Sequence, residues 1–284
     1  MMKKNLLLIL MCFVCGLVYA HDGLNFRNLD VKSGISDNYV RSVLRDQYGF
    51  MWFATLNGLN RYDGYQFKKY TTTQLGAYNN DIESIAEDAA GNIWIKGPVS
   101  YYIYDREQDK LENKIQPVLN KYGITGEVSY LTVDKDYNLW CTVMDTLFHY
   151  DFAKSKLHTF QLPGKEKMQQ VVCRRSCAYL LFSNGEIARI DSNFQHIRPE
   201  TRRTLSSGLQ YNLYIDTVDR LWFYASHASG LQCYDTNQKQ WIDYVGRQEV
   251  TDALITAVMD DGDGNLWIGT DDKGVYISYN QDKQ

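Results

Sequence analysis

The chain has 284 residues, enough for one large domain or two small ones. Its net charge of −4 argues against a nucleic-acid partner, which requires a basic stripe to neutralise phosphates. Aromatic residues make up 14% of it, with 22 Tyr against 4 Pro, which excludes a disordered chain and suits half-buried sheets.

Residues 1–20 read as a secretory signal peptide. Lys3 and Lys4 supply the positive start, and Leu6 to Val18 form an apolar run too short to span a bilayer. Val18-Tyr19-Ala20 offers small residues to a signal peptidase, so cleavage is expected between Ala20 and His21. An uncleaved anchor is the alternative. A lipid anchor at Cys15 is disfavoured, because Val14 is not the small residue that such a site needs. No second apolar run of spanning length follows, so the expected product is periplasmic, with no membrane span once the signal is removed.

The remainder, 21–284, is read as one domain of six repeats, about 36–72, 80–116, 126–162, 169–199, 210–246 and 251–284. Five of them contain Asp six residues before Trp: Asp46/Trp52, Asp88/Trp94, Asp134/Trp140, Asp216/Trp222 and Asp261/Trp267. Three residues before Trp stands Gly49, Gly91 or Gly264, with Tyr137 and Asp219 in the other two copies. The Trp spacings are 42, 46, 82 and 45, and the gap of 82 hides one further copy. There Leu180 is assigned the Trp position, eleven before Asp191, as Trp140 stands eleven before Asp151.

Each repeat reads as four strands. Val40–Leu44, Ile82–Ala86 and Leu254–Val258 alternate as first strands. An Asp-x-x-Gly turn follows, in which the carboxylate accepts turn N–H groups, then the Trp strand. A Gly turn leads to a third strand, which ends in Tyr-Asp in four copies (Tyr62-Asp63, Tyr104-Asp105, Tyr150-Asp151, Tyr234-Asp235). Phe67/Tyr70, Leu157/Phe160, Phe194/Ile197 and Trp241/Tyr244 mark fourth strands. A period of roughly 40–45 residues with four short strands per unit is the pattern of a β-propeller blade.

The sixth repeat lacks a fourth strand, while Phe26–Leu29 precedes the first. Phe26 stands 26 before Trp52, as Trp241 stands 26 before Trp267. The expectation is therefore an all-β propeller of six four-stranded blades, with the N-terminal strand closing the last against Tyr276–Tyr279. An open fragment of a seven-bladed propeller is the alternative.

The run Gly34-Ile35-Ser36 through Trp52-Phe53-Ala54-Thr55 to Tyr62-Asp63, and the copy Trp267-Ile268-Gly269-Thr270, resemble the two-component regulator propeller repeat. The resemblance extends over about 24–280. It implies the periplasmic sensor region of a hybrid two-component system, many of which regulate polysaccharide use, and hence a module that binds a glycan or glycan fragment. The family's membrane helix, kinase and receiver segments have no counterpart here, so signalling by this chain alone is not implied.

Chemical motifs are sparse. A lectin reading of the Trp residues competes with inter-blade packing, which the same position in five copies favours. The repeated Asp residues are read as turn formers. Asp261-x-Asp263-x-Asn265 departs from a calcium loop, which would need Gly at Leu266 and Glu at Asp272. The histidines His149 and His158 are expected to serve strand-edge hydrogen bonds. Cys141, Cys173, Cys177 and Cys233 are read as small apolar strand residues, with a Cys173–Cys177 bridge as the alternative. No catalytic, metal or cofactor residues are assigned, and no enzyme activity is expected. The alternatives are a propeller lyase, lactonase or glycosidase, or a protein-docking scaffold.

The expected partners are a glycan ligand and a protein partner or self-association. Propellers usually bind on the face of the loops that enter each blade and join its second and third strands. Tyr78, Asn79, Asn57, Tyr122, Tyr211, His227 and Arg247 lie in or beside those loops, and no ligand site is assigned among them.

Overall fold

The computed structural model describes residues 27–174, 177–191, 193–206, 208–242, 250, 252–261 and 263–279. The signal segment, its Ala20/His21 junction, Phe26, Tyr244 and Arg247 lie outside these.

The fold is a six-bladed β-propeller of antiparallel sheets. The innermost strands are Val40–Arg45, Ser84–Glu87, Val128–Val133, Met168–Arg174, Tyr211–Ile215 and Ile255–Asp260. Each pairs with a second strand: Met51–Thr55, Ile93–Lys96, Leu139–Val143, Cys177–Phe182, Arg220–Ala225 and Leu266–Thr270. An α-helix, Gln116–Lys121, lies between blades two and three, with Pro117 in its first turn, where a missing N–H costs nothing.

The turn chemistry follows the repeat. Gly49, Gly91 and Gly264 adopt φ of 90°, 80° and 81°, the left-handed region that glycine tolerates. Tyr137 and Asp219 occupy the same region at 62° and 64°, despite their side chains.

Alternation along the strands gives every blade two apolar faces, and neighbouring faces meet in five buried clusters. Trp52 packs with Ile85, Ile93 and Ile95 of blade two. Trp94 packs with Leu131, Leu139 and Cys141 of blade three, and Trp140 with Met168, Val171 and Leu180 of blade four. Tyr179 and Leu181 meet Leu213 and Phe223 of blade five, and Trp222 meets Ile255, Val258 and Ile268 of blade six. At the outer edge of the first seam, Asp109 of blade two accepts from Arg61 Nη1 (3.1 Å) and Tyr70 Oη (2.5 Å) of blade one.

Three expectations are corrected. Leu180 faces the preceding blade, and Tyr179, one residue earlier, takes the Trp face. Trp140 pairs with His149 but Tyr179 with Arg189, so the hairpin of blade four is one residue longer. A one-residue slip in a strand exchanges the two faces. Phe194 precedes the fourth strand of its blade, Ile197–Arg202, sitting at φ 52° with its ring 4.8 Å from that of His149.

The third correction concerns the N-terminal segment. Among the described residues the sixth sheet has three strands, ending with Val275–Ser278, and residues 27–29 belong to no strand. Asp30 instead caps a 3-10 turn at Val31–Ser33, and Ser36 N–H donates to Asn60 Oδ1 at 2.8 Å, which ties this stretch to blade one. Among the described residues no buried cluster joins blade six to blade one. Trp267 of blade six is 37% exposed.

Candidate functional site

The repeated carboxylates are fully committed to structure. In each of five turns the Asp Oδ2 accepts the Trp indole N–H at 2.8–2.9 Å. Its Oδ1 accepts backbone N–H groups two and four residues on, as Asp46 does from Tyr48 and Phe50 at 3.0 and 2.9 Å. This explains the fixed step of six, which the sequence reading attributed to the turn alone. Burial raises the carboxyl pKa of Asp88 and Asp134, against the hydrogen bonds they accept. Asp261, in the sixth blade, is lowered to about 2 by its bonds from Trp267 and Asn265.

On the loop face, the singled-out residues separate. Tyr78 and Asn79 are exposed, and Asn57 Oδ1 accepts from Asn80 at 3.3 Å. Tyr211 is held by ring stacking on Phe223 and a hydrogen bond from Ser206 N–H. His227 Nδ1 lies 2.5 Å from Asp271 Oδ2, linking blades five and six. Tyr122 is elsewhere: it packs on Tyr150 and Phe152, and its hydroxyl accepts from Asn92, beside the Asp88 turn. A cavity of about 240 Å³ lies between blades three and four, lined by Met144, Asp145, Lys165, Glu166 and Lys167.

His149 serves no strand-edge hydrogen bond. It is 2% exposed, stacked 4.0 Å from Trp140, and neither ring nitrogen has a hydrogen-bond partner. Burial, reinforced by His158, lowers its pKa to about 4. All four cysteines among the described residues are free thiols, and burial pushes Cys141 and Cys233 up to about 12. No group of three metal-ligating side chains occurs among the described residues.

The opposite face, carrying the Asp turns, holds a larger cavity of about 720 Å³ across blades one to three. Arg45, Gln47, Tyr48, Glu87 and Tyr137 contribute to its lining. Arg106 organises one wall: Nη1 donates to Asp46 Oδ2 (3.1 Å), Nη2 to Glu87 Oε1 (3.0 Å) and Nε to Gly91 O (3.1 Å). Its guanidinium lies 4.4 Å from the Tyr48 ring centroid, a cation–π contact that fixes the ring. Glu87 Oε2 accepts the Gln47 N–H at 2.9 Å. Burial raises the Glu87 carboxyl from its ordinary value, against that hydrogen bond. Sequence reasoning missed this site. Its one visible signal was Tyr137 at a glycine position.

The chain resembles several solved structures. An extracellular domain described as belonging to a hybrid two-component system of B. thetaiotaomicron matches with a TM-score of 0.62 and 21% identity, over 90% of this chain and 36% of that one. A second such domain from the same organism matches with a TM-score of 0.60 and 22% identity, over 90% and 33%. Virginiamycin B lyase from Staphylococcus aureus, in a catalytically inactive form with quinupristin, gives 0.57 and 16%, over 90% and 84%. The chain thus spans about a third of the length of the two-component domains. These likenesses establish the propeller fold. No curated protein matches the sequence. The family pattern "Two component regulator propeller" matches residues 34–57 and 250–272, so the first and last blades carry repeats of that kind.

Proposed function

We propose that this chain is an exported, ligand-binding propeller module of the sensor type, recognising a glycan or glycan fragment. The observation that carries the reading is the state of the carboxylates. Every repeated Asp holds an indole and its own turn, so none is free for acid–base work. What the propeller offers instead is an open cleft walled by exposed tyrosines, suited to binding.

The extracellular setting of the similar two-component domains supports export, as does the apolar run between Lys4 and Ala20. N-terminal sequencing of the mature protein is expected to begin at His21. Retention of Met1 in exported material rejects the signal peptide. For binding, thermal unfolding with defined oligosaccharides is the direct test, because a ligand selective for the folded state raises the midpoint with concentration. A midpoint indifferent to every glycan, together with turnover of a substrate, favours the enzyme reading.

A further inference from the structure

We propose that the cleft between the Asp turns of blades one, two and three is a saccharide-binding site, with Tyr48 and Tyr137 as its stacking platforms. The inference rests on the glycan reading above and gives that reading a place.

Tyr137 is the first observation. It holds a left-handed conformation, φ 62°, at the position where three other blades have glycine. A side chain there costs on the order of 1 kcal/mol or more, and such strain is retained where something else requires the residue. Asp219, the other exception, has a structural reason: Arg174 Nε lies 3.3 Å from its carboxylate. The Tyr137 ring has no such partner among the described residues. It is 57% exposed and lines the cavity. Only its backbone is used, its carbonyl accepting from Ala89 N–H at 3.0 Å, which joins the turns of blades two and three.

Tyr48 is the second. It is 65% exposed, yet Arg106 backs its ring, and Arg106 is pinned by two carboxylates and a carbonyl. The platform is therefore ordered before any ligand arrives, which spares the cost of immobilising it on binding. Gln47 is also placed: its Nε2 stands 1.8 Å from where a Cβ on Gly91 would lie, so the amide occupies space that only glycine leaves open.

The chemistry of the lining selects the ligand class. Asp46, Glu87 and Asp88 already accept hydrogen bonds from the protein, and their negative charge disfavours a phosphate or another anion. The groups facing solvent are two phenol rings, the Gln47 amide and the Arg45 guanidinium. A pyranose or furanose ring matches this set, with C–H faces to lie on the tyrosines and hydroxyl edges to meet the polar groups. A cavity of about 720 Å³ accommodates a short oligosaccharide.

The test is calorimetric titration of the mature chain with defined gluco-, xylo-, manno- and fructo-oligosaccharides. Wild type, Tyr137→Gly and Tyr48→Ala are compared, with Met144→Ala on the opposite face as control. Tyr137→Gly restores the residue of the other repeats, so it removes the ring without endangering the fold, which thermal unfolding verifies. The expected result is an oligosaccharide whose affinity falls about tenfold or more in both tyrosine variants and is unchanged in the control. Binding that survives both tyrosine variants overturns this site and leaves the glycan reading standing. Absence of binding to every oligosaccharide overturns both.

Discussion

Trp222 and Trp267 hold the same place in consecutive blades, and their surroundings differ. Both indoles donate to the Asp six residues earlier, at 2.8 and 2.9 Å. Trp222 is 1% exposed in the seam with blade six, whereas Trp267 is 37% exposed on the outer face of that blade. The bracket is thus a local structure that seven residues specify. Burial comes from the neighbour. The pKa directions separate in the same way: burial raises Asp88 and Asp134, while Asp261, without that burial, is lowered by its hydrogen bonds.

The largest expected effect comes from breaking a buried bracket. Asp216→Ala leaves the Val218 and Arg220 N–H groups and the Trp222 indole without their acceptor. Losing the acceptor costs about 1–3 kcal/mol for a buried donor, the Trp222 indole above all, and less for the part-buried turn N–H groups, giving a loss on the order of 4 kcal/mol in urea denaturation. A loss below about 1 kcal/mol contradicts a structural role for the carboxylate and reopens a chemical one.

Next is the seam between blades three and four, where His149 is buried beside Trp140 with the Asp134 carboxylate 4.0 Å from its Nε2. His149 titrates at about 4 in the folded state against an ordinary value of 6.5. The unfolded chain therefore takes the proton first. Stability is full above pH 6.5 and falls as pH drops toward 4, by roughly 3 kcal/mol in all. His149→Phe keeps the stack on Trp140 and Phe194 and removes that slope. A variant with the wild-type slope between pH 6.5 and 4 places its origin elsewhere.

A smaller effect is expected at the blade-three turn. Tyr137→Gly relieves a left-handed side chain but adds glycine's freedom to the unfolded chain, so stability should stay within about 1 kcal/mol of wild type. A loss of several kcal/mol shows that the ring is a packing element, which removes the case for a binding role.

Much of the fold was legible because the repeat is written in side chains with fixed backbone demands. The Asp–Trp step, the turn glycines and the strand alternation all act within one blade, so a single sequence displays them. Relations between blades were less visible. Spacing to Asp191 points to Leu180, whereas the register puts Tyr179 on the Trp face, because one extra residue in a hairpin is invisible in the sequence. The N-terminal segment matched a fourth strand in spacing through Phe26, which lies outside the described residues; residues 27–29 belong to no strand, and Ser36, further on, is tied to blade one. His149 was misread because its stack draws on Phe194 of the next blade. The turn-face cleft assembles Tyr48, Glu87 and Tyr137 from three repeats, and no motif spans them.

The most direct test compares Trp222→Ala with Trp267→Ala by urea denaturation of the mature chain. Burial in a seam predicts a loss of about 3–5 kcal/mol for Trp222, as for other large-to-small core changes, and at least about 2 kcal/mol less for Trp267. Equal losses contradict the account, because they mean that the face of blade six is covered as the other Trp faces are.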